Sequence, residues 1–214
     1  MREIDLIIFD FDGTLVDSRE DIANAVNFTL RELGLKERGF QEIMSHVGKG
    51  LEYLMEKILG EDSISLVAQA LAIFKDYYRE HFKDNSLLYP GVKEMLEYFK
   101  DKNKVVVSNK QRDFVVLTLK GLGADGYFKE IIGGDNGKCV KPNPCPLNDT
   151  MQRFGIEKQK TIMVGDMDID VLAGKEAGTA TCAVTYGIGT REQIEKARPD
   201  YIIDDIKKLE EIIR

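Results

Sequence analysis

The chain has 214 residues, 43% hydrophobic and 31% charged, with a formal net charge of −7; this suits a folded globular domain with a smaller one inserted. The acidic balance argues against a nucleic-acid-binding face, no stretch reaches the apolar length of a membrane span, and the start is too short and charged for a signal peptide. An acidic chain can still take a phosphate ester where a divalent cation and a lysine neutralise the ligand locally. Three cysteines, Cys139, Cys145 and Cys182, form no metal-ligand repeat, and their odd number points to reduced thiols in a cytoplasmic protein.

In chain order, the first apolar run is Leu6-Ile7-Ile8-Phe9. Its continuous rather than alternating hydrophobicity marks a strand buried on both faces, as in a parallel sheet covered by helices. From about Asp17 to Leu87 only helix signals follow. Ser18 stands as a cap before a stripe of Ile22, Val26, Leu30 and Leu33, which Gly34 ends. Leu51, Leu54, Met55 and Ile58 form a second stripe closed by Gly60, and Val67, Leu71, Phe74, Tyr78 and Phe82 a third. These stripes can bury against one another as a small helical bundle, with Phe74, Tyr77, Tyr78 and Phe82 in its core.

Alternation resumes after the bundle. Helix patterns at Val92-Met95-Leu96-Phe99 and Val115-Val116-Leu119-Leu122 flank a strand at Val105-Val106-Val107, and further strands fall at Ile162-Met163-Val164, Ala180 to Val184 and Tyr201-Ile202-Ile203. The expected fold is α/β, a doubly wound parallel sheet formed by residues 1–16 and 88–214, with a helical cap over residues 17–87.

Ligands of such sheets bind beyond the carboxyl ends of the strands. The residues found there are Asp10-Phe11-Asp12-Gly13-Thr14, Ser108-Asn109-Lys110 and Gly165-Asp166-Met167-Asp168-Ile169-Asp170, joined by a loop with Lys141-Pro142-Asn143-Pro144. Asp10, Asp12 and Asp166 at adjacent strand ends would repel without a cation, and oxygen donors of this kind suit Mg²⁺. Gly13 permits close approach of backbone to phosphate. The Ser108 hydroxyl and the Lys141 charge suit a transferring phosphoryl group.

The run from Asp10 to Ser18 resembles the first motif of the haloacid dehalogenase-like hydrolase superfamily. Ser108, Lys141 and Gly165-Asp166 to Asp170 are similar to its second, third and fourth motifs, in order. Within it, Ser108-Asn109-Lys110 and the stretch from Gly165 to Gly178 look most like phosphoglycolate phosphatases and their relatives. The resemblance implies that Asp10 is the nucleophile of an aspartyl-phosphate pathway and Asp12 its general acid and base. It implies that Mg²⁺ is held by the side chains of Asp10 and Asp166 and the backbone carbonyl of Asp12. Ser108, the Asn109 amide and Lys141 would bind the transferring oxygens, and Asp170 would orient Lys141 or a metal-bound water. The implied partner is a small phosphorylated metabolite.

Other residues keep two readings. Lys49, in the glycine-rich stretch Ser45 to Gly50, would pair with a carboxylate on the substrate or stand as a solvated turn lysine. Lys110 would face either the cleft or the surface. Asp17 reads as a hinge or cap of the first bundle helix, His46 as a helix-end residue, and Asp168 as the N-cap of the helix after it. A sugar-phosphate phosphatase, a pyrophosphatase or a phosphomutase would use the same clusters, and from another class a phospho-accepting signalling domain shares some of them.

Overall fold

The structure is a computed structural model that describes residues 1–135 and 139–214. The strand β1 (Leu6–Phe9) is followed by the short β2 (Val16–Asp17), then by helices α1 (Arg19–Glu32), α2 (Phe40–Met44), α3 (Leu51–Leu59) and α4 (Val67–His81). The chain returns through β3 (Leu87–Leu88) to α5 (Val92–Tyr98), β4 (Asn103–Val107), α6 (Arg112–Gly121), β5 (Glu130–Ile132), α7 (Cys145–Phe154) and β6 (Thr161–Gly165). It ends with α8 (Asp168–Ala177), β7 (Ala180–Val184), α9 (Arg191–Ala197), β8 (Tyr201–Ile203) and α10 (Leu209–Ile212).

Six strands form one sheet in the order β5-β4-β1-β6-β7-β8, and every neighbouring pair is parallel. The apolar runs are strands for the reason the sequence suggests: both faces are covered. Ile7 and Phe9 pack into a cluster with Val115, Leu119, Leu209 and Ile212. Leu6 and Ile8 point to the opposite face, against Leu147, Met151, Ala173 and Ala177. Short β5 carries too few apolar residues to be legible in the sequence.

The register fixes the height of the strand ends. Phe9 lies opposite Val106 on one side and Val164 on the other, so Asp10 leaves β1 beside the ends of β4 and β6. The chain winds from β1 outward to β5, then returns to the other side at β6. The crevice therefore opens where the winding direction changes.

Helices α1 to α4 bury Ile22, Val26, Leu30, Ile43, Met44, Leu54, Met55, Ile58, Phe74 and Tyr78 together, with Phe114 from α6. Tyr77 stacks on Phe28 with ring centroids 4.1 Å apart. The helix α2 lay outside the sequence reading, because its five residues are too short to show a period. Two other differences concern caps. Ser18 stands at the N-cap of α1 but makes no side-chain cap bond; its hydroxyl donates to Asp12 instead. The helix α8 is capped from within: Met167 is its N-cap, and Asp170 Oδ2 accepts the Met167 amide at 3.0 Å, so Asp168 is the first helical residue rather than the cap.

The two chain crossings into and out of the helical insertion are paired. Val16 and Asp17 form an antiparallel ladder with Leu88 and Leu87, and Arg19 grips Asp17 at 2.6 and 2.7 Å. Just inside, the buried carboxylate of Asp21 accepts the backbone amides of Asn85 and Ser86 and the side chains of both. Removing it orphans these donors and leaves a hole between the crossings. Asp21→Ala is expected to lower stability by about 2–4 kcal/mol, read as a fall in the urea midpoint; an unchanged midpoint would mean the clamp contributes nothing.

Candidate active site

At the ends of β1 and β6 three carboxylates lie together out of water. Asp10 is 7% exposed, Asp166 0% and Asp170 1%, and one oxygen of each lies within 4.8 Å of the others. One buried ammonium serves them: Lys141 Nζ is 2.7 Å from Asp10 Oδ1 and 2.7 Å from Asp170 Oδ1. Each acid is also anchored to backbone or a near neighbour. The Asp10 amide donates to Val164 O at 2.8 Å. Asp166 Oδ1 accepts Thr14 Oγ1 at 2.9 Å, and its Oδ2 accepts the Ile188 and Gly189 amides at 2.7 and 3.2 Å.

Three negative charges against one positive charge explain the electrostatics. Burial pushes the Asp10 carboxyl up to about 8; Lys141 pulls it back only in part, and Asp170 and Asp166 add to the rise. Burial and then Asp170 push Asp166 up to about 7, against the pull of Ile188, Thr14 and Gly189. For Lys141 burial works against the charge, but Asp10 and Asp170 outweigh it and raise the ammonium above its ordinary range. A buried set of oxygen donors short of positive charge suits a hard divalent cation.

The sequence placed Asp12 in this acid cluster, and the structure corrects that for its side chain. Asp12 Oδ1 receives Lys110 Nζ at 2.8 Å and the Ser18 hydroxyl. Gly13, with φ of 87°, turns the chain sharply after Asp12. A Cβ at Gly13 would come within 2.2 Å of Asp166 Oδ2, so only glycine lets this turn press against the acid cluster.

Ser108 and Asn109 are buried at the end of β4, and Ser108 Oγ accepts the Lys110 amide at 3.2 Å. The Asn109 side chain acts as a brace. Its Nδ2 donates to Lys141 O at 2.8 Å and to Gly48 O at 2.9 Å, and its Oδ1 accepts the Lys141 amide at 2.9 Å. Asn109 thus holds the Lys141 loop and the insertion to the same strand end. Asp170, besides meeting Lys141, is locked by the Met167 amide.

Between the insertion and the sheet lies a cavity of about 60 Å³, bounded by Asp10, Asp12, Ser108, Asn109 and Lys110 below and by Ile22, Val47, Leu51, Leu54 and Phe74 above. Lys49 is not among its lining residues. It is exposed, with Nζ 5.2 Å from the Tyr53 ring centroid, along an outer groove with Tyr53, Glu56 and Lys75. The loop carrying Ile188 and Gly189, which holds Asp166, went unremarked in the sequence. Its amides do the work, and backbone donors leave no residue-type signature.

The structure also corrects the thiol reading. Cys139 and Cys145 form a disulfide with their Cα atoms 5.5 Å apart. The loop that presents Lys141 doubles back, so residues six apart in sequence meet. Only Cys182, buried on β7, is a free thiol among the described residues. Titration of the unreduced, denatured protein is expected to count one thiol per chain; a count of three would refute the bridge.

A doubly wound α/β domain with an acid cluster at its switch point, covered by a helical insertion, defines the general class. Comparison with known proteins makes it specific. The model of the haloacid dehalogenase-like hydrolase family matches residues 7–184, and the chain belongs to this family of enzymes. It is 36% identical over 221 residues to a phosphoglycolate phosphatase of Haemophilus influenzae, covering 97% of both chains. To that of Vibrio vulnificus it is 35% identical, covering 99% of this chain and 97% of the relative. Among solved structures, a predicted phosphoglycolate phosphatase from Haemophilus somnus superposes with a TM-score of 0.91 at 32% identity, covering 99% of each chain.

Proposed function

We propose that this protein is a Mg²⁺-dependent phosphatase that hydrolyses a small phosphate monoester of the phosphoglycolate type through an aspartyl-phosphate. The observation that carries the reading is the buried Asp10 carboxylate at the switch point, touched by Lys141 and neighboured by Asp166, with a second acid two residues on. The names of the relatives support the ester class. The small cavity beside Asp10 favours a compact leaving group.

In this reading Asp10 attacks phosphorus, forming the Asp10 O–P bond as the bond from phosphorus to the substrate oxygen breaks. Asp12 passes its proton to the departing oxygen, then takes one from the water that cleaves the acyl phosphate. Lys141 and the Ser108 hydroxyl, with the Asn109 backbone amide, hold the non-bridging oxygens. The side chains of Asp10 and Asp166 and the Asp12 carbonyl would hold Mg²⁺, which supplies charge neutralisation for the transferring group. Asp170 keeps Lys141 aimed. Residues 17–87 act as a lid that excludes water, and β2 and β3 form its hinge.

Asp10→Asn is expected to cost at least about 10⁴-fold in kcat on phosphoglycolate while circular dichroism stays native; turnover near the wild-type level would remove Asp10 as nucleophile. The acid cluster gives a second test. Asp10 and Asp166 sit near 8 and 7 when folded and near 4 when unfolded. Because these carboxyls are raised, the folded state binds more protons than the unfolded state through that interval. Their contribution is full below about pH 4 and lost as pH rises through 7 to 8. The metal-free protein should therefore lose Tm from pH 5 to pH 8.5, and millimolar Mg²⁺ should restore more at pH 8.5 than at pH 5. An Mg²⁺ increment independent of pH, or no increment, would count against metal at these carboxylates, as would full activity in EDTA.

A further inference from the structure

Lys110 is the one cationic side chain among the described residues lining the cavity beside Asp10 and Asp12. It sits one residue past the brace Asn109, where β4 ends, and its side chain is 11% exposed. Its Nζ donates to Asp12 Oδ1 at 2.8 Å and to Tyr78 Oη at 2.8 Å. The body of the side chain passes near Phe11, whose ring centroid is 5.5 Å from Nζ. Tyr78 comes from α4 and is fully buried, stacked on Phe74 at 5.4 Å and edge-on to Phe114 at 5.0 Å. The ammonium is thus fixed from both sides, by the strand end below and the helical insertion above.

An ammonium has three N–H donors, and the described contacts use two. Besides the polar floor of Asp10, Asp12, Ser108 and Asn109, and Gln111 beside it, the wall facing the ammonium is apolar: Ile22, Val47, Leu54, Phe74, Phe114 and Ile188. A neutral leaving group would be served by that wall without a buried cation, whose presence there costs desolvation. Burial works against the charge of Lys110, yet Asp12 and Tyr78 outweigh it, and its proton is held more tightly than in a free lysine. The ammonium is thus kept in the cavity wall, with one N–H beyond the two that Asp12 and Tyr78 take.

We propose that Lys110 is the specificity determinant of this enzyme: its free N–H binds a carboxylate on the leaving group, so the site selects phosphate esters of small hydroxy acids over those of neutral alcohols. This rests on the phosphatase reading above and assigns the residue that would recognise the carboxylate of such an ester. The arrangement places the recognising cation and the proton-carrying acid in one hydrogen-bonded pair. A substrate carboxylate seated on Lys110 would bring its own ester oxygen toward Asp12, and Tyr78 makes this seat complete only with the insertion packed down. Lys49, on the outer groove over Tyr53, is the lysine this assignment displaces.

The test compares two esters of nearly equal size, phosphoglycolate and 2-hydroxyethyl phosphate, at saturating Mg²⁺ in the wild type and in Lys110→Met, Lys110→Arg and Lys49→Ala. The wild type is expected to favour phosphoglycolate in kcat/KM. Lys110→Met should cut that preference about 10- to 100-fold, chiefly through KM for phosphoglycolate. Lys110→Arg should return part of it, and Lys49→Ala should leave the preference within about twofold. Each ratio is taken on one preparation, so partial unfolding cancels. Equal losses on both esters in Lys110→Met would show that Lys110 only positions Asp12 or the insertion, and would overturn the assignment, as would an unchanged preference. A wild type that turns over neither ester, or prefers the neutral one, would overturn the substrate class together with the role of Lys110.

Discussion

The structure is organised around an imbalance: three buried carboxylates, Asp10, Asp166 and Asp170, cluster beside one ammonium, Lys141, which pairs with Asp10 and Asp170 only. Each buried charge costs several kcal/mol of desolvation before its partners repay anything. The repayment here comes from fixed groups: the amides of Ile188 and Gly189 and the Thr14 hydroxyl on Asp166, and the Met167 amide on Asp170. These donors belong to three separate segments of the chain. A parallel sheet whose strands end at one height can gather them, because Phe9, Val106 and Val164 are held in register. The residual negative charge is of the kind a hard divalent cation would neutralise.

The same strand ends govern how the insertion is seated. Asn109 donates both to Gly48 of the insertion and to the backbone of Lys141, and Lys110 bonds both Tyr78 of the insertion and Asp12. Gly48 itself packs so tightly that a Cβ there would lie 2.4 Å from Met167 Sδ, next to the acid cluster. Two consecutive residues after β4 therefore register whether the helices are packed down. Away from the cleft, Asp21 and the β2–β3 ladder fix the crossings.

Much of this was legible in the sequence because it is written in side-chain chemistry. Doubly buried strands show as continuous apolar runs, and four of the five sheet strands expected from such runs lie within one residue of the run at both ends, Asn103–Val107 alone starting two residues early. The acids and Lys141 stand out in the sequence because charges at strand ends are costly and conspicuous. What escaped notice has little compositional signal. Backbone amides of Ile188 and Gly189 hold Asp166; β2, β3 and α2 are two to five residues long; and Ser18 has the composition of a cap but spends its hydroxyl on Asp12. The pairing of Cys139 with Cys145 depends on how the Lys141 loop folds back, which no spacing rule reveals. Lys49 and Lys110 were indistinguishable as residue types, and only burial separates them.

That separation bears on how two aspartates two residues apart can serve different purposes. Asp10 faces other acids and Lys141, in a pocket where negative charge is in excess. Asp12, just before the turn at Gly13, meets the Ser18 hydroxyl and the Lys110 ammonium. An enzyme needs unlike environments to keep a nucleophile and a proton carrier apart in role. Here the division follows two lysines from different elements. Lys141 arrives on the loop before α7 and Lys110 from the end of β4, so the two carboxylates answer to different parts of the fold. Only the second of these lysines also touches the insertion. The packing of the helical insertion is thereby linked to Asp12 rather than to Asp10, whose own partner Lys141 comes from the core of the sheet domain.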